Sequence, residues 1–286
     1  MSKVWLVTGS ARGLGRDIAE AVLAHGDRLV ATARDPGQLA ELVERYGDQV
    51  RAVALDVTDA AAARAAVKAA VDAFGRLDVL VNNAGFGHMV VFEQGSEDDF
   101  RAQIDTNFYG VVNLTRAALP VMRAQRSGHI LQISSVGGRI GTPGLAAYQS
   151  AKWAVGGFTE VLATEVAPLG IKLCSLEPGG MRTGWAAEAN STLGDVLPDY
   201  QPSVGAFRGM LKDYQGNETG DPARVAQVVL RLAYHDDPPV HLLLGSDALH
   251  FFGEVEKQRT AAAERWREVS RSTDFDAGAM PAFPSH

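Results

Sequence analysis

Short runs of consecutive apolar residues alternate along this chain with longer stretches whose apolar positions recur every three to four residues. Val4-Trp5-Leu6-Val7-Thr8 is the first run. A strand buried on both faces reads this way, because neither face meets water. Further runs at 28–33, 50–55, 77–81, 130–133, 171–176 and 240–244 predict six more strands. Between them, Ile18, Ala19, Val22 and Leu23 mark a first helix. Residues 36–46, 59–74, 98–125 and the stretch around Tyr148 and Lys152 read as helices, and Asp221-Pro222 opens another as a capping residue followed by proline. Strands alternating with helices at this interval predict an α/β fold, a parallel sheet covered by helices on both faces.

The periodicity loosens over 184–220, where Gly, Pro, Ser, Asn and Asp are scattered among Trp185, Leu193, Leu197, Phe207 and Met210. A segment of this length in a compact domain reads as a lid or binding loop, its apolar residues lining a pocket or forming a small core of their own. Beyond it, 254–271 is charged and helix-prone, and 277–286 reads as a frayed end.

Composition narrows the picture only a little. The net charge of −7 argues against a general nucleic-acid surface. No apolar run is long enough to span a bilayer, so no membrane partner is expected. The first residues read as a strand rather than a signal peptide, and one cysteine, Cys174, excludes an internal disulfide framework. Together these predict a cytoplasmic protein. Cys174 lies in the apolar run at 171–176 and reads as a buried structural thiol. The histidines are scattered without metal-ligand spacing, so no metal site is expected. His88 reads as an exposed loop residue.

Candidate chemistry collects at predicted strand ends: Gly9, Arg34, Asp56, Asn83, Ser135 and Pro178. In a parallel sheet these ends share one edge, and ligands bind there. After the first strand, Gly9-Ser10-Ala11-Arg12-Gly13-Leu14-Gly15 opens a helix. Glycines there permit a tight turn and close approach of a pyrophosphate to the helix N-terminus. Tyr148 and Lys152 are four residues apart and so share a helix face. A phenol of pKa about 10 handles protons poorly near neutrality, and an ammonium beside it is expected to pull that value down. Ser135 supplies a hydroxyl at the preceding strand end. Ser134 is expected to point to the other face.

Taken in order, Thr8-Gly9-x-x-x-Gly13-x-Gly15, Asp56-Val57, Asn82-Asn83-Ala84-Gly85, Asn107, Ser135, Tyr148-x-x-x-Lys152 and Pro178-Gly179-x-Met181-x-Thr183 resemble the short-chain dehydrogenase/reductase family over residues 3–245. The resemblance implies a seven-stranded Rossmann sheet and hydride transfer between a nicotinamide and a carbonyl or secondary alcohol. It implies that Tyr148 is the general acid/base, with Lys152 lowering its pKa and holding the nicotinamide ribose. Ser135 would bind the substrate oxygen, and Asn107 would hold a water in a relay through the lysine. Asn113 lacks that context and reads as helix surface. Met181 and Gln149 depart from residues common in the family without touching the chemistry. The cofactor contacts implied are Gly9, Ser10, Arg12, Gly13, Leu14, Gly15, Arg34, Asp56, Val57, Asn83, Ala84, Gly85, Pro178, Gly179, Met181 and Thr183, besides Tyr148 and Lys152. Homodimers or homotetramers are usual in the family.

The domain reading is one dinucleotide-binding unit over 1–250, with the substrate segment at 184–220, and a helical tail over 251–286. NADP(H) is expected in preference to NAD(H). The second strand ends Ala31-Thr32-Ala33-Arg34, without the carboxylate that accepts from an NAD ribose. Arg34 offers a fork suited to phosphate, and Arg12 stands where NADP-dependent relatives often carry a second base. The competing reading has both arginines solvated, with Arg34 paired to Asp35. Two other functions stay open: a dinucleotide-sensing regulator without turnover, and a lyase or epimerase using the same cluster.

Overall fold

The computed structural model describes residues 2–192 and 194–284. Leu193, one of the apolar positions of the 184–220 segment, lies outside the described residues. Seven strands form one sheet: β1 (Val4–Val7), β2 (Arg28–Ala33), β3 (Val50–Ala54), β4 (Val79–Asn82), β5 (Gly128–Ile133), β6 (Ile171–Pro178) and β7 (His241–Leu244). All pairings are parallel, in the order β3-β2-β1-β4-β5-β6-β7. The order reverses between β1 and β4, which opens a crevice at the C-terminal ends of those strands.

Alternation along each strand divides the core in two. Trp5 and Val7 point to one face, with Leu29, Ala31, Val79 and Val81, and pack under Ile18, Val22 and Leu23 of α1 (Gly13–Ala24). Val4, Leu6, Val30 and Leu80 point to the other, under Ala66 and Ala70 of α3 (Ala60–Phe74) and Leu114 and Ala118 of α5 (Gly110–Gln125). Successive strand residues face opposite sides, so an uninterrupted apolar run supplies both cores. Cys174 is fully buried in the first of them, and burial pushes its thiol up to about 12.

The helices after α1 are α2 (Ala40–Tyr46), α3 (Ala60–Phe74), α4 (Glu97–Ile104), α5 (Gly110–Gln125), α6 (Ala146–Val166), α7 (Trp185–Ser191), α8 (Ala206–Tyr214), α9 (Pro222–Leu232), α10 (Ser246–Arg265) and α11 (Arg267–Arg271). Capping explains several starts. Asp59 accepts from the amides of Ala61 and Ala62 at the head of α3, and Asp221 does the same for Ala223 and Arg224 at α9.

Three segments depart from the periodicity reading. Residues 36–46 begin as a 3₁₀ turn, because Asp35 accepts from the Gly37 amide and tightens the entry. The expected helix over 98–125 is α4 and α5 joined by a π turn at Asp105–Tyr109. The 184–220 segment is mostly helical: α7, a 3₁₀ turn at Pro198–Tyr200, a π turn at Gln201–Gly205, then α8. Its apolar side chains Trp185, Val204, Phe207 and Leu211 pack with Met89, Val91 and Leu145 in a third, smaller core. Short helices assembled from polar turns show little periodicity in sequence, since tertiary packing holds them instead. Met210 and Leu197 stay exposed.

No helix among the described residues is long and apolar enough to cross a membrane.

Candidate active site

The crevice is lined first by the turn after β1. Gly9 and Gly13 hold φ of +68° and +55°, a left-handed conformation that side chains resist. A Cβ on Gly15 would meet the Gly9 carbonyl oxygen, and nothing stands within 4 Å of one on Gly13. The turn is thus closed inside and open outside. Arg12 is the N-cap of α1 but makes no side-chain cap, which leaves the first amides of the helix facing the crevice uncapped. Together with the helix dipole, this N-terminus suits a pyrophosphate. Leu14 buries its side chain in the first core, so only its backbone serves such a ligand. The Ser10 hydroxyl is turned inward, donating to Val7 O at 2.8 Å, and has no free face for a cofactor.

The β4 turn braces the glycine turn. Asn83 Nδ2 donates to the carbonyls of Thr8 and Gly9 at 2.9 and 3.3 Å, and the amides of Asn83 and Ala84 donate to Thr8 Oγ1. Two strand ends are thereby locked together across the switch point. Gly85 follows, and a Cβ there would stand 2.5 Å from Asn107 Oδ1.

The catalytic candidates meet between β5 and α6. Ser135 leaves the end of β5, its Oγ accepts from the Gly137 amide at 3.0 Å, and its hydroxyl adjoins that of Tyr148 and lowers the phenol's proton affinity. Ser134 faces elsewhere, its Oγ 3.4 Å from the Lys152 carbonyl. Lys152 Nζ donates to Ile133 O at 2.8 Å and lies 5.7 Å from the Tyr148 ring centroid. Both side chains are buried, and burial governs their proton affinities. Loss of water around the phenolate pushes Tyr148 up to about 12, with the Ser135 hydroxyl opposing it weakly. Loss of water around the ammonium brings Lys152 down to about 8. The lowering expected from the lysine is not what governs the phenol: burial raises it, and the opposing contribution comes from Ser135.

Asn107 reaches the cluster because the π turn inserts a residue where α4 becomes α5. Its Nδ2 donates to Phe86 O and Gln103 O at 2.7 and 2.8 Å. Its Oδ1 is buried without a partner among the described residues, an acceptor that suits a water or ligand group. Sequence reading missed Gln103, fully buried, whose amide accepts from the His88 backbone and donates to Asp99. Its signal was its place four residues before Asn107, on one helix face. His88 is half-buried rather than exposed, with Nδ1 2.5 Å from Asp99 Oδ1.

At the end where an adenosine would lie, Arg34 is exposed and in no ion pair with Asp35, whose carboxylate caps the next turn. Asp56 Oδ1 accepts from the Thr58 amide and hydroxyl, which together with Arg34 holds its carboxyl below the usual range. Val57 is buried against Gly110. Asn113, expected on the helix surface, instead donates to Val57 O and Thr58 O at 3.1 and 3.2 Å and fixes this loop. Arg12 Nη2 pairs with Glu188 of α7. Neither Asn113 nor Glu188 carried a signal in sequence, since both partners are distant along the chain.

The loop after β6 closes the crevice. Gly179 N donates to Leu244 O at 2.9 Å, and Gly180 N donates to Asp247 Oδ2 at 2.8 Å. Asp247 also takes a 3.4 Å hydrogen bond from Tyr214, so one carboxylate ties this loop to α8 and to the start of α10. A Cβ on Gly179 would collide with that carboxylate. Met181 packs on the first core, and Thr183 Oγ1 accepts from Trp185 N. The Trp185 ring lies 5.0 Å from that of Tyr148 and covers it. Gln149, the departure next to the tyrosine, exchanges hydrogen bonds with Thr142 at 2.7 and 2.9 Å and anchors the loop entering α6.

Among the described residues no group of three or more His, Cys, Asp or Glu could hold a metal ion.

The family described as short chain dehydrogenase matches residues 3–194. Over 271 residues the chain is 50% identical to an oxidoreductase of Botryotinia fuckeliana, covering 94% of this chain and 98% of that one. The crystal structure of a short-chain dehydrogenase from Streptomyces avermitilis superposes with a TM-score of 0.88 at 38% identity, covering 96% of this chain and all of that one. An alcohol dehydrogenase from the archaeon Thermococcus sibiricus, solved with 5-hydroxy-NADP, superposes with a TM-score of 0.69 at 27% identity, over 86% of this chain and 97% of that one.

Proposed function

Because the chain belongs to the short chain dehydrogenase family and is an oxidoreductase, we propose that it reduces a carbonyl to a secondary alcohol with NADPH. The observation that carries this reading is the cluster at the end of β5 in which the Ser135 hydroxyl adjoins that of the buried Tyr148, beside the buried Lys152 ammonium. When bound, the nicotinamide supplies the hydride. The chain's own residues supply the rest. A carbonyl oxygen seated between the Ser135 and Tyr148 hydroxyls takes a hydrogen bond from each, and both bonds strengthen as negative charge develops on it. Tyr148 then passes its proton to that oxygen. A phenol held up to about 12 keeps its proton throughout the neutral range, so the donor is loaded when a carbonyl binds. Lys152, charged below about pH 8, stabilises the phenolate left behind. Trp185 keeps bulk water off the pair.

NADP(H) is supported by Arg34 with no ion pair to Asp35 and by the absence of a carboxylate at Thr32 or Ala33. The bound 5-hydroxy-NADP of the Thermococcus relative points the same way. The test is NADPH oxidation over a panel of ketones, aldehydes, quinones, sugars and steroids. One or more substrates should turn over in the wild type. Tyr148→Phe should lose about 10²–10⁴-fold in kcat, the usual range for general acid–base catalysis, and keep its NADPH affinity. Wild-type rates in that variant would refute the mechanism.

A further inference from the structure

Arg12 has a partner that the cofactor reading leaves out. Its guanidinium Nη2 donates to both carboxylate oxygens of Glu188, at 3.2 and 2.9 Å, across 176 residues of chain. Arg12 immediately precedes Gly13 in the glycine turn, and Glu188 sits in the first turn of α7, the helix whose Trp185 covers Tyr148. The third arginine of this region, Arg16, is already held by Glu20 and Glu41 at 2.7 and 2.8 Å. Arg12 is thus the guanidinium of the glycine turn for which a remote acid and a phosphate can both compete. We propose that Glu188 tunes cofactor selectivity by competing with the 2′-phosphate of a dinucleotide for Arg12. The proposal rests on the reading that Arg12 meets that phosphate.

The side chains of Arg12 and Glu188 are 77% and 41% exposed, so the phosphate has access and water screens the pair. A phosphate monoester carries more charge than a carboxylate and three acceptor oxygens, so it displaces Glu188. The displaced bond then appears as weakened affinity. Exposed ion pairs of this kind correspond to about two- to five-fold in a binding constant. An unphosphorylated ribose makes no claim on Arg12 and leaves the pair intact. Glu188 is on this account a positioning residue that acts through Arg12, narrowing the gap between NADPH and NADH.

The test is equilibrium binding of NADPH, NADH, 2′,5′-ADP and 5′-AMP to the full chain by titration calorimetry. Glu188→Gln should tighten NADPH and 2′,5′-ADP by about two- to five-fold and leave NADH and 5′-AMP within error. In an Arg12→Ala background the same substitution should change none of the four. A Glu188→Gln effect that is equal for phosphorylated and unphosphorylated ligands, or that persists without Arg12, overturns the proposal. The wild type separates the two readings. If it prefers the 2′-phosphorylated ligands and Glu188→Gln alters nothing, only the competition fails. If it shows no such preference and Glu188→Gln creates none, both fail.

Discussion

Tyr148 and Lys152 lie one helical turn apart on α6, yet burial moves their proton affinities in opposite directions, to about 12 and about 8. Desolvation penalises whichever form is charged, and that is the deprotonated phenol but the protonated amine. The amine is the group that titrates near working pH. Its folded value is depressed, so the ammonium that assists proton transfer is present below about pH 8 and lost above it. Reductive kcat/KM for NADPH, which reports the free enzyme, should fall above about pH 8 with the slope of one proton. Lys152→Arg should remove that fall, because a guanidinium stays charged, while lowering the plateau through its different shape. A pH-independent profile from 7 to 9.5 in the wild type would contradict the assignment. Arg34 belongs at this scale too. Arg34→Ala should raise the NADPH KM about tenfold or more, the loss of one charged hydrogen bond, and leave the NADH KM nearly unchanged. Higher kcat/KM for NADH than for NADPH in the unaltered enzyme would end the NADP(H) proposal. The residue types of the cluster were legible from motif spacing alone. Their protonation was not, because it depends on how many heavy atoms displace water around each group.

Two elements carry consequences beyond their own residues. The π turn at Asp105–Tyr109 brings Asn107 inward, where its Nδ2 is satisfied by two carbonyls and its Oδ1 faces Gly85. Periodicity across 98–125 showed one helix, since a single inserted residue shifts the register too little to break the pattern. The 184–220 segment is the second. It reads in sequence as an irregular loop, and it folds as short helices resting on a small third core. Such a core gives less cooperative protection than the two on either face of the sheet, so α7 and α8 belong to the low-stability end of the molecule. Amide exchange in α7 and α8 should outpace that in α6 without ligands and slow when cofactor and substrate analogue are both bound. Equal protection in both states would argue against any opening of this segment. Asp247 provides a separate check on its anchorage. Asp247→Ala frees the Gly180 amide and Tyr214 together, and should speed exchange in α8 while leaving β1 and β4 unaffected.

For the whole molecule, acid stability is set partly by a group far from the catalytic cluster. His129 on β5 is buried, with Nε2 3.2 Å from His235 O, and burial brings it down to about 4. An unfolded histidine titrates near 6.5, so between about 6.5 and 4 the unfolded chain binds the extra proton. The stabilisation from keeping His129 neutral is complete above about pH 6.5 and disappears as pH falls through that window. At 1.36 kcal/mol per unit it is worth up to about 3 kcal/mol. His129→Gln should therefore show a shallower loss of Tm between pH 6.5 and 4.5 than the wild type. Parallel curves for the two proteins would remove His129 as a cause.

All seven strands lie within two residues of the apolar runs that predict them at either end, β6 included. A strand buried on both faces must be apolar throughout, so burial is written directly into local sequence. The glycine turn, the Asn83 turn and Ser135 were legible for a related reason: each lies at the end of a strand, and parallel strands share one functional edge. Tyr148 and Lys152 were legible from their four-residue spacing on one helix face. Contacts between remote segments were decided only in three dimensions. Arg12 with Glu188, Asn113 with the Val57–Thr58 carbonyls, Gln103 with His88, and Asp247 with the Gly180 amide and Tyr214 each join residues far apart in sequence or on separate elements. No periodicity or spacing rule reports such pairs, because their geometry exists only once the sheet and its helices have closed around them. The proton affinities of Tyr148, Lys152 and His129 follow the same logic, since desolvation is a property of the packed interior and not of the residue.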